Sequence, residues 1–186
     1  CRSRERADQT MAWIQEPSKI QIADLSDLNA VNTIAEQLCL DGQPFDVLVL
    51  NAGLQYAGVD IPRWSLQGFE LTWAVNHLAH QCLLQRVLPL LRHSPSARVV
   101  ITASEVHNPK TGGGRVGQPA GLGTLAGMQQ GAGAAMVDGT SPFNADKAYK
   151  DSKLCNLLMG LELSRQQPQL PVICWSPGLV IPRSKD

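Results

Sequence analysis

The stretch Lys147-Ala148-Tyr149-Lys150-Asp151-Ser152-Lys153-Leu154-Cys155-Asn156 sets a tyrosine and a lysine four residues apart inside a helical pattern covering 144–166. That spacing puts both side chains on one helix face, one turn apart. An ammonium beside a phenol favours the phenolate, so Lys153 is expected to lower the Tyr149 pKa and equip it for proton exchange near neutral pH. The plain alternative is a solvated helix pair, and the rest of the chain decides between the two. Four apolar, mostly β-branched runs, 20–23, 47–50, 99–102 and 172–175, read as buried strands. Helical patterns at 4–14, 24–40, 68–91 and 144–166 alternate with them. Pro17-Ser18 ends the first of these, Ser26 is the expected cap of the second, and Gly42 with Pro44 stops it. Strands alternating with helices predict an α/β fold, a parallel sheet covered on both faces, in one domain spanning 1–186.

One region breaks the alternation. Residues 107–142 hold ten of the sixteen glycines, little charge and no sustained period, and read as a glycine-rich loop or lid inserted between a strand and a helix. Inside it Gly112-Gly113-Gly114-Arg115-Val116-Gly117 satisfies the Gly-x-Gly-x-x-Gly pattern of dinucleotide sites. That pattern binds a pyrophosphate only where it follows a strand and opens a helix. Here Pro119 and further glycines follow, so the match is read as loop.

Sixteen basic and sixteen acidic residues cancel in a chain of 186, which argues against a nucleic-acid partner held by bulk charge. No apolar run reaches the length of a transmembrane segment, and no signal-peptide pattern opens the chain. Cys1, Cys39, Cys82, Cys155 and Cys174 are odd in number and widely spaced, as core residues in a reducing compartment would be. His77 and His80 stand near one turn apart, but no carboxylate or cysteine at ligand spacing accompanies them, so they read as packing residues and no metal is expected. Trp13, Trp64, Trp73 and Trp175 are read as packing residues.

Five segments occur in the order of one known family. Asn51-Ala52-Gly53 closes the second strand run, Asn76 lies in the long helical pattern, Ser104 follows the third run, Tyr149 and Lys153 come next, and Pro177-Gly178-Leu179-Val180 follows the last run. In this the chain resembles the short-chain dehydrogenase/reductase family. The resemblance implies a Rossmann-like doubly wound sheet, incomplete at the N-terminus because the first strand and Gly-rich turn are not seen before Cys1, and hence a partial NADP-binding domain. It implies a catalytic tetrad of Asn76, Ser104, Tyr149 and Lys153. Tyr149 would exchange the proton, Lys153 would also hold the nicotinamide ribose, Ser104 would bond the substrate oxygen, and Asn76 would help hold a relay water. It further implies cofactor contacts at Arg2, Asp24, Leu25, Asn51, Ala52, Gly53, Pro177, Gly178 and Val180. An arginine at position 2 favours NADPH, since a guanidinium can meet the 2′-phosphate with several donors.

Within the family, the glycine-rich insert and the 147–156 stretch look most like the light-dependent protochlorophyllide reductases, which implies a lipophilic substrate of the protochlorophyllide type. Leu179 stands where those reductases usually carry cysteine, Asn51-Ala52-Gly53 is the general dehydrogenase form, and Pro182 stands where many dehydrogenases carry threonine. Two alternatives therefore stay open: a retinol-dehydrogenase-like carbonyl reductase or alcohol dehydrogenase, and a non-catalytic family member. The compartment is expected to be cytoplasmic, or plastid and thylakoid-associated if the substrate is the pigment, and a homo-oligomer is left open.

Overall fold

The computed structural model describes residues 1–14, 16, 18–56, 58–178 and 180. Helix α1 (Arg4–Met11) is capped by Ser3, and α2 (Leu28–Asp41) by Asp27, whose carboxylate accepts the Asn29 N–H at 3.0 Å. The predicted cap, Ser26, lies a residue too early: its own N–H donates to Asp24 at 2.9 Å in the turn before the helix. Gly42 ends α2 in the left-handed region at φ 67°, as its position predicts. Strand β1 (Val47–Leu50) leads through α3 (Leu71–Trp73), a π-helical turn (Ala74–Leu78) and α4 (Ala79–Arg92) to β2 (Arg98–Thr102). The insert follows, and then α7 (Ala145–Gln166), capped by Asn144, returns the chain to β3 (Val172–Trp175).

The three strands pair in parallel in the order β1-β2-β3. Their register lines up Leu48, Val99 and Val172, then Leu50, Ile101 and Cys174. These rows pack against Leu84 and Leu91 of α4 and Met159 and Leu163 of α7, while α2 lies on α4 through Ala35, Val87 and Leu90. A fully buried aliphatic side chain contributes about 1.5–3 kcal/mol, so this face is the main source of stability. Gly160 lets α7 come close to β3, since a Cβ there would run into the Cys174 sulfur and the Ile101 side chain.

The parallel sheet with packed helices is the expected α/β fold, and among the described residues one face of the sheet is less covered: in the alternate row Val49 is 55% and Ile173 47% exposed, and neighbouring Trp175 is 45% exposed. One expectation is corrected: the run 20–23 is not a buried strand. Cys1 brackets it, donating its terminal N–H to Gln21 O at 2.8 Å and accepting from Ala23 N at 2.9 Å, so a pairing of parallel geometry exists over a single residue only. With no further backbone partner in that pairing, Ile22 stays 41% exposed.

The insert is also more ordered than a loop. A 3-10 turn (Glu105–His107) leads into it, and it contains α5 (Gly112–Arg115) and α6 (Ala126–Gln130). Thr111 caps α5 by accepting from Gly114 N at 3.1 Å. Gly114 and Gly127 have tight neighbours: a Cβ would collide with the Asn108 carbonyl in one case and the Met136 carbonyl in the other. These glycines serve close backbone packing, and the Gly-x-Gly-x-x-Gly match has no phosphate-binding geometry, because it follows a 3-10 turn and not directly a strand.

Candidate active site

The carboxyl ends of β1 and β2 and one face of α7 converge. Asn51, just past β1, accepts from Thr102 Oγ1 at 2.9 Å, and Thr102 Oγ1 in turn accepts from Trp175 Nε1 at 3.2 Å. Lys153 Nζ donates to the Thr102 carbonyl at 3.1 Å. Gly53 closes the group, since a Cβ there would stand 3.4 Å from Asn76 Oδ1 and 3.5 Å from Lys153 Nζ. Thr102 thus ties three neighbouring strand ends and the lysine together.

The Ser104 and Tyr149 hydroxyls lie near one another, and the Ser104 hydroxyl also caps the 3-10 turn by accepting from Val106 N at 3.5 Å. Burial pushes the Tyr149 phenol above its ordinary range, and the nearby Ser104 hydroxyl only partly opposes that. The expectation that Lys153 lowers it is corrected: the ammonium lies 5.5 Å from the ring centroid and is committed to Thr102. Burial lowers the pKa of Lys153 itself.

Asn76 is fully buried in the π-helical turn, with both amide hydrogens and one acceptor position of its oxygen engaged. It accepts from Leu54 N at 2.8 Å and donates to Leu54 O at 3.0 Å and Ser152 Oγ at 3.1 Å. Its side chain therefore locks the loop after β1 onto α7. His77 Nδ1 contacts Asn156 Oδ1 at 3.1 Å, and His80 is 3% exposed. Among the described residues no cluster of His, Cys, Asp and Glu is arranged to hold a metal.

A groove of about 800 Å³ runs beside this centre, lined by Arg2, Arg6, Asp24, Leu25, Ala52 and Gly53 among others. Five of the expected cofactor contacts thus border one cavity. Arg6 was missed by sequence reasoning. Its signal is the spacing: Arg2 and Arg6 both line the groove, whereas Arg4 points to Asp8 at 3.6 Å. The Asp24 carboxylate is partly engaged, by Ser26 N. Pro177, Gly178 and Val180 are exposed past β3, Gly178 at φ 73°, and they do not line the groove. Leu179 and Pro182 lie outside the described residues.

A family model described as short chain dehydrogenase matches residues 1–114. The chain is 38% identical over 149 residues to protochlorophyllide reductase A, chloroplastic, of Oryza sativa subsp. japonica, covering 77% of this chain and 38% of that protein. It is 37% identical over 168 residues to the chloroplastic protochlorophyllide reductase of Daucus carota, covering 87% of this chain and 42% of that protein. The chain therefore spans less than half the length of these two curated relatives. Among solved structures, an alcohol dehydrogenase from the archaeon Thermococcus sibiricus complexed with 5-hydroxy-NADP superposes with a TM-score of 0.65 at 18% identity, covering 96% of this chain and 63% of that one. At that identity the likeness is one of fold.

Proposed function

The chain belongs to the short-chain dehydrogenase/reductase family, and from that membership and its site we propose that it carries the NADPH-dependent reduction of protochlorophyllide, driven by light absorbed by the pigment. The observation that carries the chemistry is the Ser104–Tyr149 hydroxyl pair with Lys153 over the tyrosine ring. Such a pair can deliver a proton to a carbon or oxygen lying against both hydroxyls. The pigment is supported by relatives named for it, by the 147–156 stretch, and by the glycine-rich insert packed on α7.

The residues fit the cofactor. The groove offers two guanidinium groups, Arg2 and Arg6, suited to a 2′-phosphate, and near Gly53 it approaches Lys153 and Asn76. When bound there, NADPH supplies the hydride. Tyr149 then donates the balancing proton, its raised pKa keeping it in the donor form at neutral pH. Ser104 orients the phenol, Thr102 anchors Lys153, and Asn76 keeps the Gly53 loop in register with α7. Positioned general acids of this kind contribute roughly 10²–10⁴-fold to rate. The chloroplastic relatives support a plastid as the compartment. Among the described residues no helix is long and apolar enough to cross a membrane.

The test is to mix the purified protein with NADPH and protochlorophyllide and record pigment absorbance in darkness and after illumination. Binding in both conditions with reduction only in light is expected. If retinal or another lipophilic carbonyl consumes NADPH in darkness while the pigment is neither bound nor reduced, the carbonyl reductase reading suggested by Leu179 replaces this one. No turnover of either substrate class, with NADPH bound, would favour a non-catalytic member.

A further inference from the structure

The insert meets α7 on the side opposite the reacting pair. At about 100° per residue, Lys147, Lys150 and Asp151 share one arc of the helix, and Tyr149, Ser152, Lys153 and Asn156 share the other. All three residues of the first arc are buried, Lys150 to 5% exposure and Asp151 to 0%. Lys150 Nζ donates to the carbonyls of Gly114 at 3.2 Å and Gln118 at 2.9 Å, and to that of Val116. Lys147 Nζ donates to Gly121 O at 2.8 Å and Asp151 Oδ2 at 2.5 Å, and pairs with Asp138 Oδ2 at 2.9 Å. Asp151 Oδ1 accepts from Gly121 N at 2.8 Å. Five positions of the insert, Gly114, Val116, Gln118, Gly121 and Asp138, are thus held by three side chains on two helical turns.

This is a costly way to hold a segment that only needs packing. A buried ammonium must be matched by several acceptors, and apolar residues of similar volume would stabilise at least as well. What the polar contacts add is a defined geometry. The insert also borders a small cavity that α7 shares, lined by Glu70, Trp73, Gly127, Met136, Val137 and Ala148, the last being the neighbour of Tyr149.

We infer that Lys147, Lys150 and Asp151 are positioning residues that fix the insert as a rigid wall referenced to the Tyr149 helix, and so set how a large flat substrate stands over Tyr149 and Ser104. The role in substrate placement rests on the function proposed above. The clamp itself does not.

Lys150→Met keeps the side-chain length and removes charge and donors. In the full chain without substrate, backbone amides of 112–121 are expected to exchange at least about tenfold faster, while amides of α2 and α4 and the affinity for NADPH stay within about twofold. Gly114→Ala breaks the same contact from the insert side, where its Cβ meets the Asn108 carbonyl, and should reproduce the effect even if Lys150→Met does not fold. Lys150→Arg, which retains charge and donors, should restore slow exchange. With the substrate the enzyme proves to use, KM should rise about tenfold with a smaller loss of kcat and no change in the pH at which Tyr149 titrates. Unchanged exchange in Lys150→Met, or in Gly114→Ala if only that variant folds, overturns the clamp. So does acceleration spread evenly over the molecule, or a parallel fall in NADPH affinity. Fast exchange with an unchanged KM overturns the positioning role, whereas failure with the pigment alone counts against the proposed substrate and leaves the exchange result standing.

Discussion

Tyr149 has its hydroxyl near that of Ser104, and burial holds the phenol protonated past its usual range. A donor with a raised pKa serves reduction directly, because it is already in the required form at neutral pH. The rate of the reductive direction is therefore expected to stay flat from neutral pH into the ordinary phenol range, while oxidation, which needs the phenolate, should keep rising with pH. Tyr149→Phe should retain ligand binding and slow turnover roughly 10²–10⁴-fold, measured by single-turnover absorbance. Equal turnover in the variant would remove Tyr149 from the chemistry. Arg2 carries a different prediction, since it lines the groove beside Arg6. Charge-assisted hydrogen bonds are worth about 1.5–3 kcal/mol, so Arg2→Glu should weaken NADPH roughly 10- to 100-fold and leave NADH nearly unchanged. A fluorescence titration with both cofactors decides this, and equal losses for the two would dissociate Arg2 from the 2′-phosphate.

At the scale of elements, α7 is the part that most of the site depends on. One arc carries Tyr149 and Lys153, another holds the insert, and further along its Gly160 face sits on β3. The absent side chain at 160 sets the helix-to-sheet distance, with Cys174 and Ile101 beneath it. Gly160→Ala is expected to destabilise by about 1–3 kcal/mol through overpacking, despite alanine's better helix propensity. Denaturant midpoints would register this, and a more stable variant would mean the contact relaxes freely. The π-helical turn has an equally local consequence: it carries Asn76, which bonds to both the Gly53 loop and Ser152.

Across the whole molecule, one face of the sheet supplies the core and the other exposes Val49, Ile173 and Trp175. Stability therefore rests on the α4–α7 side, where His80 is buried and His77 half-buried. Burial, helped by the nearby Lys153 and His77 charges, pulls the His80 pKa from 6.5 down to about 4, and His77 is lowered as well. The sign follows from proton binding: between these values the unfolded chain binds more protons at His80 than the folded one, so stability falls as pH drops through that window. The loss attributable to His80 is up to about 3 kcal/mol. His80→Gln should flatten the urea midpoint between pH 6.5 and 4.5. An unchanged slope would place the acid sensitivity in other groups.

Periodicity and motif order, which are local properties, sufficed for β1, β3 and nearly all of β2 and α7, and for the juxtaposition of Ser104 with Tyr149. A strand's alternation and a helix's apolar stripe are written in consecutive residues, and the family's motifs specify which strand ends must meet. Distant neighbours decided the rest. Ile20–Ala23 has the composition of a buried strand, yet burial depends on what lies beside it, and its backbone pairing among the described residues is with Cys1. The direction of the Tyr149 shift depended on burial and on Lys153 being committed to Thr102, neither visible in a four-residue spacing. Arg6 could be placed only when α1 came to rest against the groove. The glycine-rich insert has no period to read because its order comes from carbonyls meeting Lys147 and Lys150, contacts between residues about 26 to 36 positions apart that form only once α7 stands beside it.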